Sequence, residues 1–155
     1  MTKSIDKRER IYQAFGSFLV DFIHDLNNSS EEGWCVLVEG QRDQAALRKL
    51  GYTGHLVTVS TLRKKGVGAL AGCTGTILLT DLDREGTVLA SRFARELVHE
   101  SVKVSLRERL RLRVESRGVF LHVENLGRFA VSEGRIGDLS NLPRQRSKSA
   151  PAGRN

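Results

Sequence analysis

Seven apolar side chains, Ile11, Phe15, Phe18, Leu19, Phe22, Ile23 and Leu26, recur at spacings of three and four and trace one face of an amphipathic helix. The polar stretch "NNSSEEG" is predicted to end it. A continuous apolar run from Trp34 to Val38 then closes on Glu39 and Gly40, as a parallel strand buried on both faces would. "QRDQAALRKLG" follows with helical spacing through Ala45, Ala46 and Leu50, and Gly51 is its stop signal. "HLVTVS" reads as a second strand. "TLRKKGVGALAGCTG" reads as a basic, glycine-rich loop with a short helix, and "TILLTDLD" as a third strand. "TVLASRFARELVHES" then predicts a helix that directs Val88, Phe93 and Leu97 to a core. From Val104 to Val114 both periods fit. A helix with Leu106, Leu110 and Val114 on one face is preferred, with a last strand in "GVFLHVE" and a turn of helix in "NLGRFA".

Alternating strands and helices predict an α/β fold with about four mostly parallel strands, flanked by helices and preceded by an N-terminal helix. The chain divides into that helix and its linker (1–32), an α/β domain (33–131) and a tail (132–155). The tail is rich in basic residues, proline and serine and is expected to be disordered. Its 155 residues suit one domain with a substantial core. The formal charge of +7, mostly from arginine, suits a polyanionic partner. Cys35 and Cys73 lie on or beside apolar stretches without metal-site spacing and read as reduced thiols. Without an apolar leader or a membrane-length run, the expectation is a soluble, cytoplasmic protein that does not engage a membrane.

Chemistry concentrates at two strand ends. Asp81 and Asp83 stand two apart, hence on one face of an extended segment, and Glu39 ends the first strand. In a parallel sheet both ends open on one edge, the default ligand crevice where the strands are neighbours at a switch point. Converging carboxylates repel and raise one another's pKa unless a cation compensates, and magnesium binds a few carboxylates together with phosphate oxygens. The competing interpretation is structural: Asp83 caps the next helix, Asp81 ends the strand and Glu39 occupies a turn.

"VLVEGQRDQAAL" followed by "ILLTDLDREG" resembles the Toprim domain, the Rossmann-like catalytic module of type IA and II topoisomerases, bacterial-type primases, OLD-type nucleases and the ribonuclease that matures 5S ribosomal RNA. The resemblance covers residues 33 to 130. It implies that Glu39 is a general acid or base, or a metal ligand. It also implies that Asp81 and Asp83 hold Mg2+, for which Mn2+ can substitute, and that Glu85 is a further ligand. Asp43 matches an acidic residue of the nuclease and primase branches, its other reading being a solvated helix residue. The chain has only Tyr12 and Tyr52 and lacks the gate, zinc and polymerase domains of a complete topoisomerase or primase. What the resemblance then implies is a magnesium-dependent endonuclease, or ribonuclease, acting on nucleic acid, with RNA favoured. The alternative is a non-catalytic nucleic-acid-binding or accessory subunit of an RNA-processing or replication assembly.

For the polyanion, Arg63, Lys64 and Lys65 beside glycines are expected on the same edge as the acidic residues, and Arg84 adjoins the aspartates. Arg107, Arg109, Arg111 and Arg113 alternate sides and read as a diffuse positive field. No aromatic stacking platform is evident, so recognition by backbone and shape is expected. The apolar face of the N-terminal helix is a candidate for homodimerisation or partner docking.

Overall fold

The apolar run Trp34–Val38 forms β1 at the centre of a sheet, and the chain alternates outward from it. A computed structural model describes residues 6–130; the tail assigned from the sequence lies outside them. In order the elements are α1 (Lys7–Glu31), β1, α2 (Gln41–Lys49), β2 (Leu56–Thr58), α3 (Val59–Lys65), a 3₁₀ helix (Gly66–Leu70), β3 (Gly75–Leu78), α4 (Arg84–His99), β4 (Val104–Ser105), α5 (Arg107–Ser116) and a second 3₁₀ helix (Val123–Phe129). The four strands are ordered β2-β1-β3-β4 and every pairing is parallel, the architecture of a Rossmann-like α/β fold.

Alternation along β1 builds two cores. Val36 and Val38 face a cluster with Phe15, Phe22 and Leu26 of α1, Leu47 of α2 and Leu112 of α5. Cys35 and Leu37 face a second cluster with Leu62 of α3 and Phe93 and Leu97 of α4. A strand covered on both faces must be apolar at every position, which explains the unbroken run. Each such side chain contributes roughly 1.5–3 kcal/mol on burial.

Five local expectations change. First, α1 continues through "NNSS" to Glu31. Asn27, instead of breaking it, donates to the Gly51 carbonyl at 3.1 Å and accepts from the Thr53 N–H at 2.9 Å, so its polar groups are satisfied from the helix. Second, β2 is only three residues long, because the Thr58 hydroxyl caps α3 by accepting from Thr61 N–H at 3.3 Å. Third, the fourth strand is Val104–Ser105 and not "GVFLHVE". The latter segment crosses the sheet edge: Phe120 stacks at 5.1 Å on Phe15, and the Leu121 carbonyl accepts from Leu82 N–H at 2.7 Å. Fourth, α5 buries Arg109 and Leu112 and leaves Leu106, Leu110 and Val114 exposed. Fifth, Val88 faces solvent while Phe93 and Leu97 reach the core as expected.

Candidate active site

The sheet order places β1 between β2 and β3, so the chain leaves β1 in opposite directions on its two sides. That reversal opens a crevice at the carboxyl ends of β1 and β3, where the residues after each strand converge. Glu39 Oε2 accepts from the Asp81 N–H at 2.9 Å, tying the two strand ends together. Asp81 Oδ1 accepts from Val123 N–H at 2.8 Å, and its Oδ2 lies 3.3 Å from His122 Nδ1. Asp83 Oδ2 lies 3.8 Å from the same nitrogen. Asp83 also caps α4, accepting from Gly86 N–H at 2.7 Å, so the structural role weighed for it from the sequence is observed alongside its position in the crevice.

Asp81, Asp83 and His122 each offer one ligand atom, all within 4.8 Å of one another. Two carboxylate oxygens and one imidazole nitrogen form a donor set that fits a divalent ion; oxygen donors suit Mg2+, and the imidazole extends the fit to Mn2+. Glu39 and Glu85 are outside this ligand group. Together with Arg84 and Arg92 they line an adjoining pocket of about 380 Å3.

Electrostatics follow from the crowding. Burial pushes the Glu39 carboxyl above its usual range, the Asp81 and Asp83 charges add to the rise, and the bond from Asp81 N–H opposes it. Asp43 is buried, not solvated. Its Oδ2 accepts from Gly40 N–H at 3.1 Å, and burial, then the charge of Asp81, raises its pKa to about 6. His122 is raised, first through its hydrogen bond to Asp81.

Two backbone devices hold the aspartates. Arg109, buried under the crevice, donates Nε to the Thr80 carbonyl at 3.2 Å, and its terminal nitrogen to the Asp81 carbonyl and to Thr87 Oγ1 at 2.9 Å. Gly86 passes so close that a Cβ there would lie 1.9 Å from the Asp81 carbonyl oxygen. Neither Arg109 nor His122 was singled out as a site residue from the sequence. Arg109 belongs to an alternating arginine series, and His122 lies in an irregular crossing without diagnostic spacing.

The basic run is helical, and its first residue falls elsewhere than expected. Arg63, Lys64 and Lys65 form the last turn of α3, not a loop. Arg63 lies 5.7 Å over the Phe93 ring and shares a groove with His99 and Glu100, at the opposite end of α4 from Asp83. Arg84, by contrast, lines the pocket with Glu39.

The fold and crevice define a Rossmann-like α/β protein with an acidic site at its switch point. No family model matches the chain. The UPF0292 protein of Pyrococcus horikoshii is 35% identical over 92 residues, covering 59% of this chain and 70% of that relative. The UPF0292 protein of Methanosarcina acetivorans is 30% identical over 119 residues, covering 75% and 82%. The chain belongs to the UPF0292 family. A solved structure described as a putative protein from Aquifex aeolicus superimposes with a TM-score of 0.60 at 28% identity, covering 69% of this chain and 96% of that one.

Proposed function

We propose that the protein is a divalent-metal-dependent phosphodiester hydrolase of the Toprim type acting on nucleic acid, RNA in preference to DNA. The observation that carries this reading is the meeting of Glu39, Asp81 and Asp83 at adjacent parallel strand ends, with arginines lining the adjoining pocket.

Asp81 and Asp83, with His122, would hold Mg2+ or Mn2+. Such an ion supplies polarisation of the phosphodiester and a lowered pKa of water. Glu39, with its raised pKa, is suited to take the proton of the attacking water, because a base is most effective when its pKa lies nearer the working pH. Water oxygen bonds to phosphorus, the bond from phosphorus to the leaving sugar oxygen breaks, and solvent protonates that oxygen. Arg84 and Arg92 orient the phosphoryl oxygens and offset their developing charge. Arg109 and Gly86 keep the aspartates in register without touching substrate.

A second reading, a non-catalytic nucleic-acid-binding or accessory subunit on the same scaffold, draws support from Asp81 and Asp83 each bonding backbone N–H groups. Cleavage distinguishes the two. Labelled 5S precursor RNA, an unrelated structured RNA, single-stranded DNA and supercoiled plasmid are incubated with Mg2+, Mn2+ or EDTA, using wild type, Asp81→Asn and Glu39→Gln. Metal-dependent cutting of RNA, lost in both variants while their melting curves persist, is expected. Binding without cutting of any polymer favours the accessory role.

A further inference from the structure

α2 and the 3₁₀ helix Val123–Phe129 pack side by side, and an open trough of about 1050 Å3 runs over their seam. Its floor includes Ala45, Ala46 and Gly127, small groups that leave room above the seam. Its walls carry Arg42, Arg48, Lys49 and Arg128 against one carboxylate, Glu124. All four cations are exposed. None makes an ion pair among the described residues. Arg48 is already oriented: its guanidinium donates to the Tyr52 carbonyl at 3.0 Å and lies 5.6 Å over the Tyr52 ring. A cluster of uncompensated cations that includes guanidinium forks matches phosphate oxygens in charge and geometry.

The trough also has a direction. Arg42 is the second residue of α2, which begins just past Glu39 and Gly40. Glu124 lies two residues beyond His122, whose ring meets Asp81. The near end therefore adjoins the acidic crevice. From Arg42 to Lys49 the basic wall extends about 10 Å along the helix. Arg63, held over Phe93 in a groove with His99 and Glu100 at the far end of α4, offers no such continuity.

We propose that this trough is the track along which the sugar-phosphate backbone of one nucleic-acid strand approaches the acidic crevice. The inference rests on the hydrolase reading for what happens at the crevice, whereas phosphate binding in the trough requires no metal. Glu124 opposes the strand near the junction, and its removal tightens binding.

The test is fluorescence anisotropy of a labelled single-stranded oligoribonucleotide in EDTA across a salt series. Wild type is compared with Arg42→Ala/Lys49→Ala/Arg128→Ala, with Lys64→Ala/Lys65→Ala and with Glu124→Gln. Each lost phosphate contact reduces the log–log salt slope by about 0.7, or roughly fivefold in affinity at 0.1 M salt. The triple variant is thus expected to bind about 100-fold more weakly, with a slope about 2 units shallower. Lys64→Ala/Lys65→Ala changes less than the triple variant, and Glu124→Gln binds more tightly. If the triple variant fails to melt cooperatively, Arg128→Glu and Glu124→Gln, which move affinity in opposite directions, replace it. A triple variant that binds like wild type, or a larger loss in Lys64→Ala/Lys65→Ala, overturns the track. Polyglutamate displacing the oligonucleotide at equal concentration also overturns it, in favour of an acidic protein partner. Wild-type cleavage with Mn2+ is measured in parallel: a strand held by the trough yet uncut removes the hydrolase reading and leaves the track standing. Cutting with unchanged triple-variant affinity does the reverse.

Discussion

Gly86→Ala tests how the crevice is held without altering any candidate ligand. The added Cβ would lie 1.9 Å from the Asp81 carbonyl oxygen and 2.6 Å from its carbon, both backbone atoms. No rotamer relieves that contact, so either the first turn of α4 moves outward or the Asp81 peptide moves. Relief by backbone shift costs about 1–3 kcal/mol, as overpacking does elsewhere. An outward shift weakens the Asp83 cap on Gly86 N–H, worth about 1 kcal/mol, and the bond from Thr80 Oγ1 to the Gly86 carbonyl, worth about as much. Replacing a helical glycine returns about 1 kcal/mol. The net expectation is a loss of about 2–4 kcal/mol, equivalent to a drop in Tm of roughly 4–16 °C for a domain of this size. Calorimetry of unfolding measures it, and Mn2+ titration by isothermal calorimetry should show weakened binding in the same variant, because Asp81 and Asp83 flank the displaced turn. A Gly86→Ala protein with wild-type Tm and wild-type Mn2+ affinity would refute the claim that this close approach holds the aspartates.

Three further outcomes follow from the same geometry. Asp43, at about 6 in the folded chain against 3.8 for a free carboxyl, favours the fold when protonated; its contribution is complete below pH 3.8 and is lost as pH rises through 6. Asp43→Asn keeps an acceptor for Gly40 N–H and should flatten that decline, gaining at most about 3 kcal/mol above pH 6 in urea titrations; a wild-type to variant difference independent of pH between 4 and 7 would count against it. Arg109→Gln leaves the Thr80 and Asp81 carbonyls without their charged donor and should cost about 2–4 kcal/mol, with Mn2+ affinity falling more than in Arg113→Gln, a variant of a more exposed neighbour on the same helix. Cys35 is fully buried with its thiol pushed up to about 12, chiefly by burial, so iodoacetamide should label the more accessible Cys73 first, as peptide mapping would show.

Much of this architecture is written in local pattern. An apolar run such as Trp34–Val38 is stable only between two covering layers, and residues spaced by three and four from Ile11 to Leu26 bury one face of a helix. Carboxylates within a few residues of the ends of two such strands share an edge once the strands are parallel, so the meeting of Glu39, Asp81 and Asp83 is legible in the sequence. Nothing local distinguished Arg109 from Arg107 or Arg111, because what buries it is a pair of carbonyls about thirty residues earlier in the chain. The leucine periodicity of α5 pointed to the wrong face for the same reason: satisfying the charged side chain under the crevice, with Leu112 beside it, outweighed burying Leu110. His122 and Asp43 depended on where a crossing segment and a helix start came to rest against the strand ends. The basic run at Arg63 turned away from the crevice because Thr58 capped a helix that packs along α4. Periodicity and strand-end chemistry act within a few residues and are therefore determined by the sequence alone. The partners of a buried charge, and the edge on which a surface charge emerges, depend on residues distant in the chain, and only the tertiary structure decided them.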